Sequence, residues 1–203
     1  FILTSAFATE ASVKKARSEG IAALIPKPLE KGSLEKALDD AIEYKNQKKI
    51  LLVDDHKHLA NSYAATLRSE GYFVFSCTSG QKALKLIEKF YYDLYFIDLN
   101  LPDCRGIELV RSIREQHPDA MVVSLSGEAT EKELEQLKDL GTYDHLEKPM
   151  SPRRLKHMSS IYVQKQPEFR RKRVQAAERE KNKSIWDVLR DAWRELIRVL
   201  KTS

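Results

Sequence analysis

Two rhythms of apolar and polar positions alternate along most of the chain. Five short runs, at 50–53, 72–76, 94–98, 121–125 and 143–146, have strand length, and the most apolar of them carry the pattern of strands covered on both faces. Between them the apolar residues return every three or four positions: Leu59, Tyr63 and Leu67 stand at i, i+4 and i+8, and Ala83, Leu84 and Ile87 share one helical face. Helices are predicted at 58–70, 80–90, 106–116 and 128–140, the first and last stopped by Gly71 and Gly141. A fifth begins at Ser151 with Pro152 in its first turn. Five strands alternating with five helices describe an α/β fold with a doubly wound, five-stranded parallel sheet.

Ahead of this region, 1–4 and 21–25 read as strands and 8–19 as a helix closed by Gly20. Lys27-Pro28 reads as a turn, 33–44 as a helix with Ser33 at its N-cap, and 46–49 as a short polar linker. The same signals return later. Ser5-Ala6, Gly20, Lys27-Pro28 and Leu34 precede Ser126-Gly127, Gly141, Lys148-Pro149 and Leu155 at a constant offset of 121 residues. Residues 1–46 are therefore expected to be the C-terminal half of one domain, the chain starting mid-domain. Residues 47–163 are expected to be a complete copy, and 164–203 a charged, amphipathic helical extension.

Composition narrows the setting. No apolar run nears the ~20 residues that span a bilayer, and the N-terminus lacks a basic-then-apolar leader. Cys77 and Cys104 have neither metal nor redox spacing, so a cytoplasmic chain with free thiols is expected. The net charge of +5 is concentrated after Arg153, and 167–183 reads as a solvated helix or tether. Ser184 is then expected to cap a separate helix over 185–201, where Trp186, Leu189, Trp193, Leu196, Ile197 and Leu200 fall on one side. Its polar side mixes acids with bases, which favours a homodimer through 185–201 over contact with a membrane. The roughly 40 residues available hold no winged-helix or helix-turn-helix domain, so sequence-specific nucleic-acid binding is not expected.

The candidate chemistry lies at the strand ends. Asp54 and Asp55 follow the first strand of the complete copy and Asp98 closes the third, and ligands of open α/β sheets bind at the carboxyl ends of the strands. Three converging carboxylates repel one another unless a hard cation such as Mg²⁺ sits among them. From about Lys48 to Ser160 the chain resembles the receiver domain of two-component response regulators. The resemblance rests on Asp54-Asp55, on Asp98 in Asp98-Leu99-Asn100-Leu101-Pro102-Asp103-Cys104-Arg105-Gly106, on Ser126-Gly127 and on Lys148-Pro149, each in the family's order.

That resemblance implies a flavodoxin-like receiver with Asp98 as phosphoacceptor. It implies a Mg²⁺ site formed by Asp54, Asp55, Asp98 and the backbone carbonyl of Asn100, with Ser126 as switch hydroxyl and Lys148 as phosphate-pairing cation. The phosphoryl donor is then a histidine kinase or histidine phosphotransfer protein, and output runs through protein contacts. Such a chain is no ordinary enzyme, but it catalyses its own phosphoryl transfer and the hydrolysis of its aspartyl phosphate. Asn100 and Glu128, two residues after the acceptor and the switch hydroxyl, resemble the polar pair of fast-cycling chemotaxis receivers and imply a short-lived phosphoryl group. One departure stands out: His145 occupies a place where the family often has Tyr or Phe, and Leu24 is its counterpart in the partial copy. The partial copy holds no acceptor aspartate within this sequence, so no phosphorylation site is assigned there. His56, His58, His117, His145 and His157 share no metal spacing and are expected at the surface or its boundary. The competing reading is a phosphorylation-independent scaffold with a receiver fold, its C-terminal helix serving oligomer or membrane-surface docking.

Overall fold

The computed structural model describes residues 2–202 apart from 7, 8, 10, 14, 15, 17–22, 29 and 31, and describes only the backbone of 2, 23, 26, 40, 43–45 and 181–202. The helix expected at 8–19 and its closing Gly20 lie largely outside the described residues. Two strands, β1 (Ile2–Ser5) and β2 (Ala23–Pro26), pair in parallel and are followed by helix α1 (Ser33–Asn46). Ser33 is the first helical residue rather than the cap, and its hydroxyl accepts the backbone N–H of Glu30 at 3.1 Å.

The alternation then unfolds as β3 (Lys49–Val53), α2 (Lys57–Ser69), β4 (Phe73–Cys77), α3 (Gly80–Ile87), β5 (Leu94–Asp98), α4 (Gly106–Gln116), β6 (Val122–Ser126), α5 (Glu131–Asp139), β7 (Asp144–Glu147) and α6 (Pro152–Thr202). The five strands β3–β7 form one parallel sheet in the order β4-β3-β5-β6-β7. This is a doubly wound sheet, and the switch in strand order falls between β3 and β5. Alternate residues of the strands feed two cores. Leu51, Val53, Tyr95 and Ile97 face α3, α4 and α5 through Ala83, Ile87, Val110, Ile113 and Leu137. Ile50, Leu52, Phe96 and Leu125 face α2 and α6 through Tyr63, Leu67, Leu155 and Tyr162. Both faces are buried, which is why the central strands read as unbroken apolar runs.

The boundaries move where caps decide them. Helix α5 starts at Glu131 rather than 128 because Thr130 and Glu133 form a reciprocal capping box, the Thr130 Oγ1 accepting from Glu133 N–H and the Glu133 carboxylate from Thr130 N–H. Helix α3 ends at Ile87 rather than 90, and the turn beyond it lays Phe90 on Phe75, ring centroids 6.1 Å apart.

The C-terminal region differs most from expectation. Pro167 lies inside α6, and no break separates 163 from 164 or Lys183 from Ser184, so 185–201 continues α6 and is not a separate helix beginning at Ser184. Helix formers such as Arg, Lys, Gln, Ala and Glu fill 168–183, leaving no stop signal there. Past Pro167 the helix is still seated on the sheet domain: Phe169 meets Tyr143 edge-on at 5.2 Å, Arg170 pairs with Asp119 and lies 4.9 Å over Tyr91, and Arg173 Nε donates to the Pro118 carbonyl at 3.1 Å. The side chains of the expected dimer face, Trp186 and Trp193 among them, lie outside the described residues. Among the described residues no helix is long and apolar enough to cross a membrane.

Candidate functional site: an acidic pocket at the strand ends

Three neighbouring parts of the sheet deliver the site. Val53 is the last residue of β3, so Asp54 and Asp55 emerge as the chain leaves the sheet, while Asp98 is the terminal residue of the adjacent β5. Asp54 is fully buried and Asp98 is 1% exposed. Lys148, just past β7, reaches across to both, its Nζ 2.9 Å from Asp54 Oδ2 and 2.7 Å from Asp98 Oδ2. The remaining oxygens of these two acids are held by the backbone, Asp98 Oδ1 accepting from Asn100 N–H at 3.1 Å and Asp54 Oδ1 from His56 N–H at 3.0 Å.

Local structure keeps the lysine in place. Lys148 N–H donates to the Ser126 carbonyl at 2.7 Å, the following peptide to Pro149 is cis, and Met150 N–H donates to the Tyr63 hydroxyl at 2.8 Å. Burial pushes the Asp98 carboxyl above its ordinary range, against the Lys148 hydrogen bond that favours the anion. Burial also opposes the charge on Lys148, but its hydrogen bonds to Asp98 and Asp54 outweigh that and leave it raised. Asp98 is thus enclosed and directly paired to the Lys148 ammonium.

The pocket fits a divalent cation. Asp54, Asp55, His56 and Asp98 each offer one donor atom, all within 4.8 Å of one another. Asp55 Oδ1 is buried and lies 2.7 Å from His56 Nδ1, but among the described residues it accepts no hydrogen bond, which leaves it capacity to bind an ion. Ser126 lies at the end of β6, next to β5, but its hydroxyl is engaged in the loop, donating to the Glu128 carbonyl at 2.8 Å and accepting from Glu128 N–H at 3.1 Å. Asn100 and Glu128 are exposed beside the site, and a Cβ built on Gly127 meets nothing within 4 Å.

Three contributors escaped the sequence reading. His56 is exposed, as expected, yet its ring also joins the acidic cluster, and its position directly after Asp54-Asp55 is the available signal. Gly106 is required because a Cβ there would lie 2.1 Å from the Asp98 carbonyl oxygen. Asp103 caps α3 from a distant loop: its carboxylate accepts from Gly80 N–H, Gln81 N–H and the Ser79 hydroxyl, which holds it down at about 2.

A family model for the response regulator receiver domain matches residues 50–160, more than half of the chain. The chain belongs to the response regulator receiver family. Within it, the alginate biosynthesis transcriptional regulatory protein AlgB of Pseudomonas putida is 32% identical over 111 residues, covering 55% of this chain and 25% of that protein. The alkaline phosphatase synthesis transcriptional regulatory protein PhoP of Bacillus subtilis is 34% identical over 106 residues, 52% of this chain and 44% of that protein. The chain thus spans less than half the length of these curated relatives. A CheY-like receiver domain from Methanospirillum hungatei superposes with a TM-score of 0.59 at 27% identity, covering 61% of this chain and 98% of that one. The five-stranded sheet and its flanking helices are therefore a receiver, and the acidic pocket lies at the carboxyl end of that receiver's sheet.

Proposed function

We propose that this receiver accepts a phosphoryl group on Asp98 and passes the change on through protein contacts. The observation that carries the reading is the Asp98 carboxylate at the end of β5, paired to Lys148 at 2.7 Å beside Asp54 and Asp55. A carboxylate oxygen of Asp98 attacks the phosphorus of a phosphohistidine on a histidine kinase or histidine phosphotransfer protein. The P–N bond breaks, the imidazole leaves with the bond's electrons and takes up a proton, and an acyl phosphate forms on Asp98. Positioning and charge neutralisation do most of the work in such a transfer. Lys148 neutralises one phosphoryl oxygen, and Asp54, Asp55, Asp98 and the Asn100 carbonyl would hold a Mg²⁺. When bound, that ion supplies the remaining positive charge on the phosphoryl oxygens. Once the phosphoryl group is in place, the Ser126 hydroxyl exchanges its loop hydrogen bonds for one to a phosphoryl oxygen, and this exchange is the switch. Exposed Asn100 and Glu128 leave water a polar path to the phosphorus, which supports a short-lived phosphoryl state.

We place this receiver at 47–163, read 1–46 as the C-terminal half of another, and assign 164–203 to a helical extension that serves self-association through 185–201. The setting is cytoplasmic, where the phosphodonor proteins are met. The test is intact-mass analysis after incubation with Mg²⁺ and a small acyl phosphate. The wild-type chain gains one phosphoryl adduct and Asp98→Asn gains none. An undiminished adduct in Asp98→Asn refutes the assignment.

A further inference from the structure

We propose that His56 is a further protein ligand of the acidic pocket, making it a mixed nitrogen–oxygen site that prefers a divalent first-row transition ion to Mg²⁺. The inference rests on reading Asp54, Asp55 and Asp98 as a cation site, and it specifies the class of ion that site takes.

His56 stands in ion-pair contact with the acids, at a place from which it can also serve as a ligand. Its Nδ1 lies 2.7 Å from Asp55 Oδ1 and 3.7 Å from Asp54 Oδ1. The short contact is an ion-pair contact without the alignment of a hydrogen bond, Asp55 Oδ1 having no hydrogen-bond partner among the described residues. A divalent cation placed between the two atoms would bond to both in place of that contact. Donors on adjacent corners of an octahedron with bonds of about 2.1 Å are about 3 Å apart, close to the separation seen here.

The ring is also held in register with the acids. His56 N–H donates to Asp54 Oδ1 at 3.0 Å, fixing the backbone that carries the imidazole, and Asp54 is in turn fixed by Lys148 at 2.9 Å. The imidazole side chain is 69% exposed, so it can turn onto an ion without disturbing the core.

Donor chemistry then sets the preference. Mg²⁺ takes oxygen ligands and keeps several waters, and gains little from a neutral nitrogen. Ions later in the first transition row gain affinity from imidazole, so a fourth donor of this type tilts the pocket toward them. Residues Asp54, Asp55 and Asp98 would bind either class, and His56 discriminates between them.

The experiment uses the full chain with Mn²⁺ as a paramagnetic probe. Pulsed electron paramagnetic resonance of the bound ion is expected to show nitrogen hyperfine modulation in the wild type and in His58→Ala. In His56→Ala the Mn²⁺ stays bound but the modulation is lost. In parallel titrations, His56→Ala weakens Zn²⁺ binding by about tenfold or more and changes Mg²⁺ binding by less than about twofold. Bound Mn²⁺ without nitrogen modulation in the wild type, or modulation that survives His56→Ala, overturns the role of His56 alone. Failure of Mn²⁺ to bind the wild type at all overturns the acidic site together with it.

Discussion

Offset by 121 residues, the β1–β2 pair and the β6–β7 pair share one register: Ile2 opposite Ala23, with Ser5 opposite Pro26, matches Val123 opposite Asp144, with Ser126 opposite Glu147. Lys27 N–H donates to the Ser5 carbonyl at 2.8 Å as Lys148 N–H does to that of Ser126 at 2.7 Å. The strands bury alike too, Ile25 being 4% exposed and Leu146 2%. The helices that follow do not. Leu34 and Leu38 of α1 are 57% and 46% exposed, whereas their counterparts Leu155 and Ser159 of α6 are 1% and 0% exposed. Strand pairing is thus encoded within a short stretch, while burial of the helix's inner face depends on distant partners. For α6 those are α2 and β5, which supply Tyr63, Leu67 and Phe96 to the same core. One of these partners also makes the site: β5 brings Asp98, and β3 beside it brings Asp54 and Asp55. The first region repeats the hydroxyl and the lysine, and at the same offset the places that match these acids fall ahead of Phe1.

Paired substitutions sharpen that contrast. Leu155→Ala removes a fully enclosed side chain and should cost about 3 kcal/mol in urea-induced unfolding. Leu34→Ala, at the matching place, should stay within about 0.5 kcal/mol. Equal losses would mean that the first region packs as the second does.

A smaller effect concerns His145, whose counterpart is Leu24. Burial lowers the His145 pKa, although Asp144 and Glu147 nearby favour its charged form. Ser124 Oγ lies 2.9 Å from its Nδ1, and the same elements bring up Lys138 and Thr142. The unfolded chain therefore binds a proton here more readily than the folded one. This contribution to stability is intact above the unfolded value of about 6.5 and is lost as pH falls from there to the lower folded value. Replacing His145 with the leucine of the other copy should reduce the drop in melting temperature between neutral and mildly acidic pH. An unchanged drop would assign that pH dependence to other groups.

The alternation of strands and helices and the acids were legible because each signal was local: apolar runs that end in Asp54, Asp55 and Asp98, glycines that stop helices, and Lys148-Pro149 after the last strand. What escaped was set by contacts between distant segments. Gly106 faces the carbonyl of Asp98, Asp103 caps a helix more than twenty residues upstream, and Arg114 donates from inside α4 to the carbonyls of Ala120, Leu140 and Gly141. The continuity of α6 through Pro167 was hidden for the same reason, since Phe169, Arg170 and Arg173 hold it to Tyr143, Asp119 and Pro118. A proline that ends an isolated helix is tolerated where side chains anchor both flanks.

The central claim, that the receiver responds to phosphorylation at Asp98 and residues 2–46 do not share that response, is tested most directly by amide exchange of the full chain. Exchange is followed with Mg²⁺ alone and with Mg²⁺ plus beryllofluoride, a phosphoryl mimic. Protection should rise at 98–104, 126–130 and 145–150, stay unchanged across 2–46, and show no change anywhere in Asp98→Asn. Equal protection in 2–46, or the same response in Asp98→Asn, would contradict it.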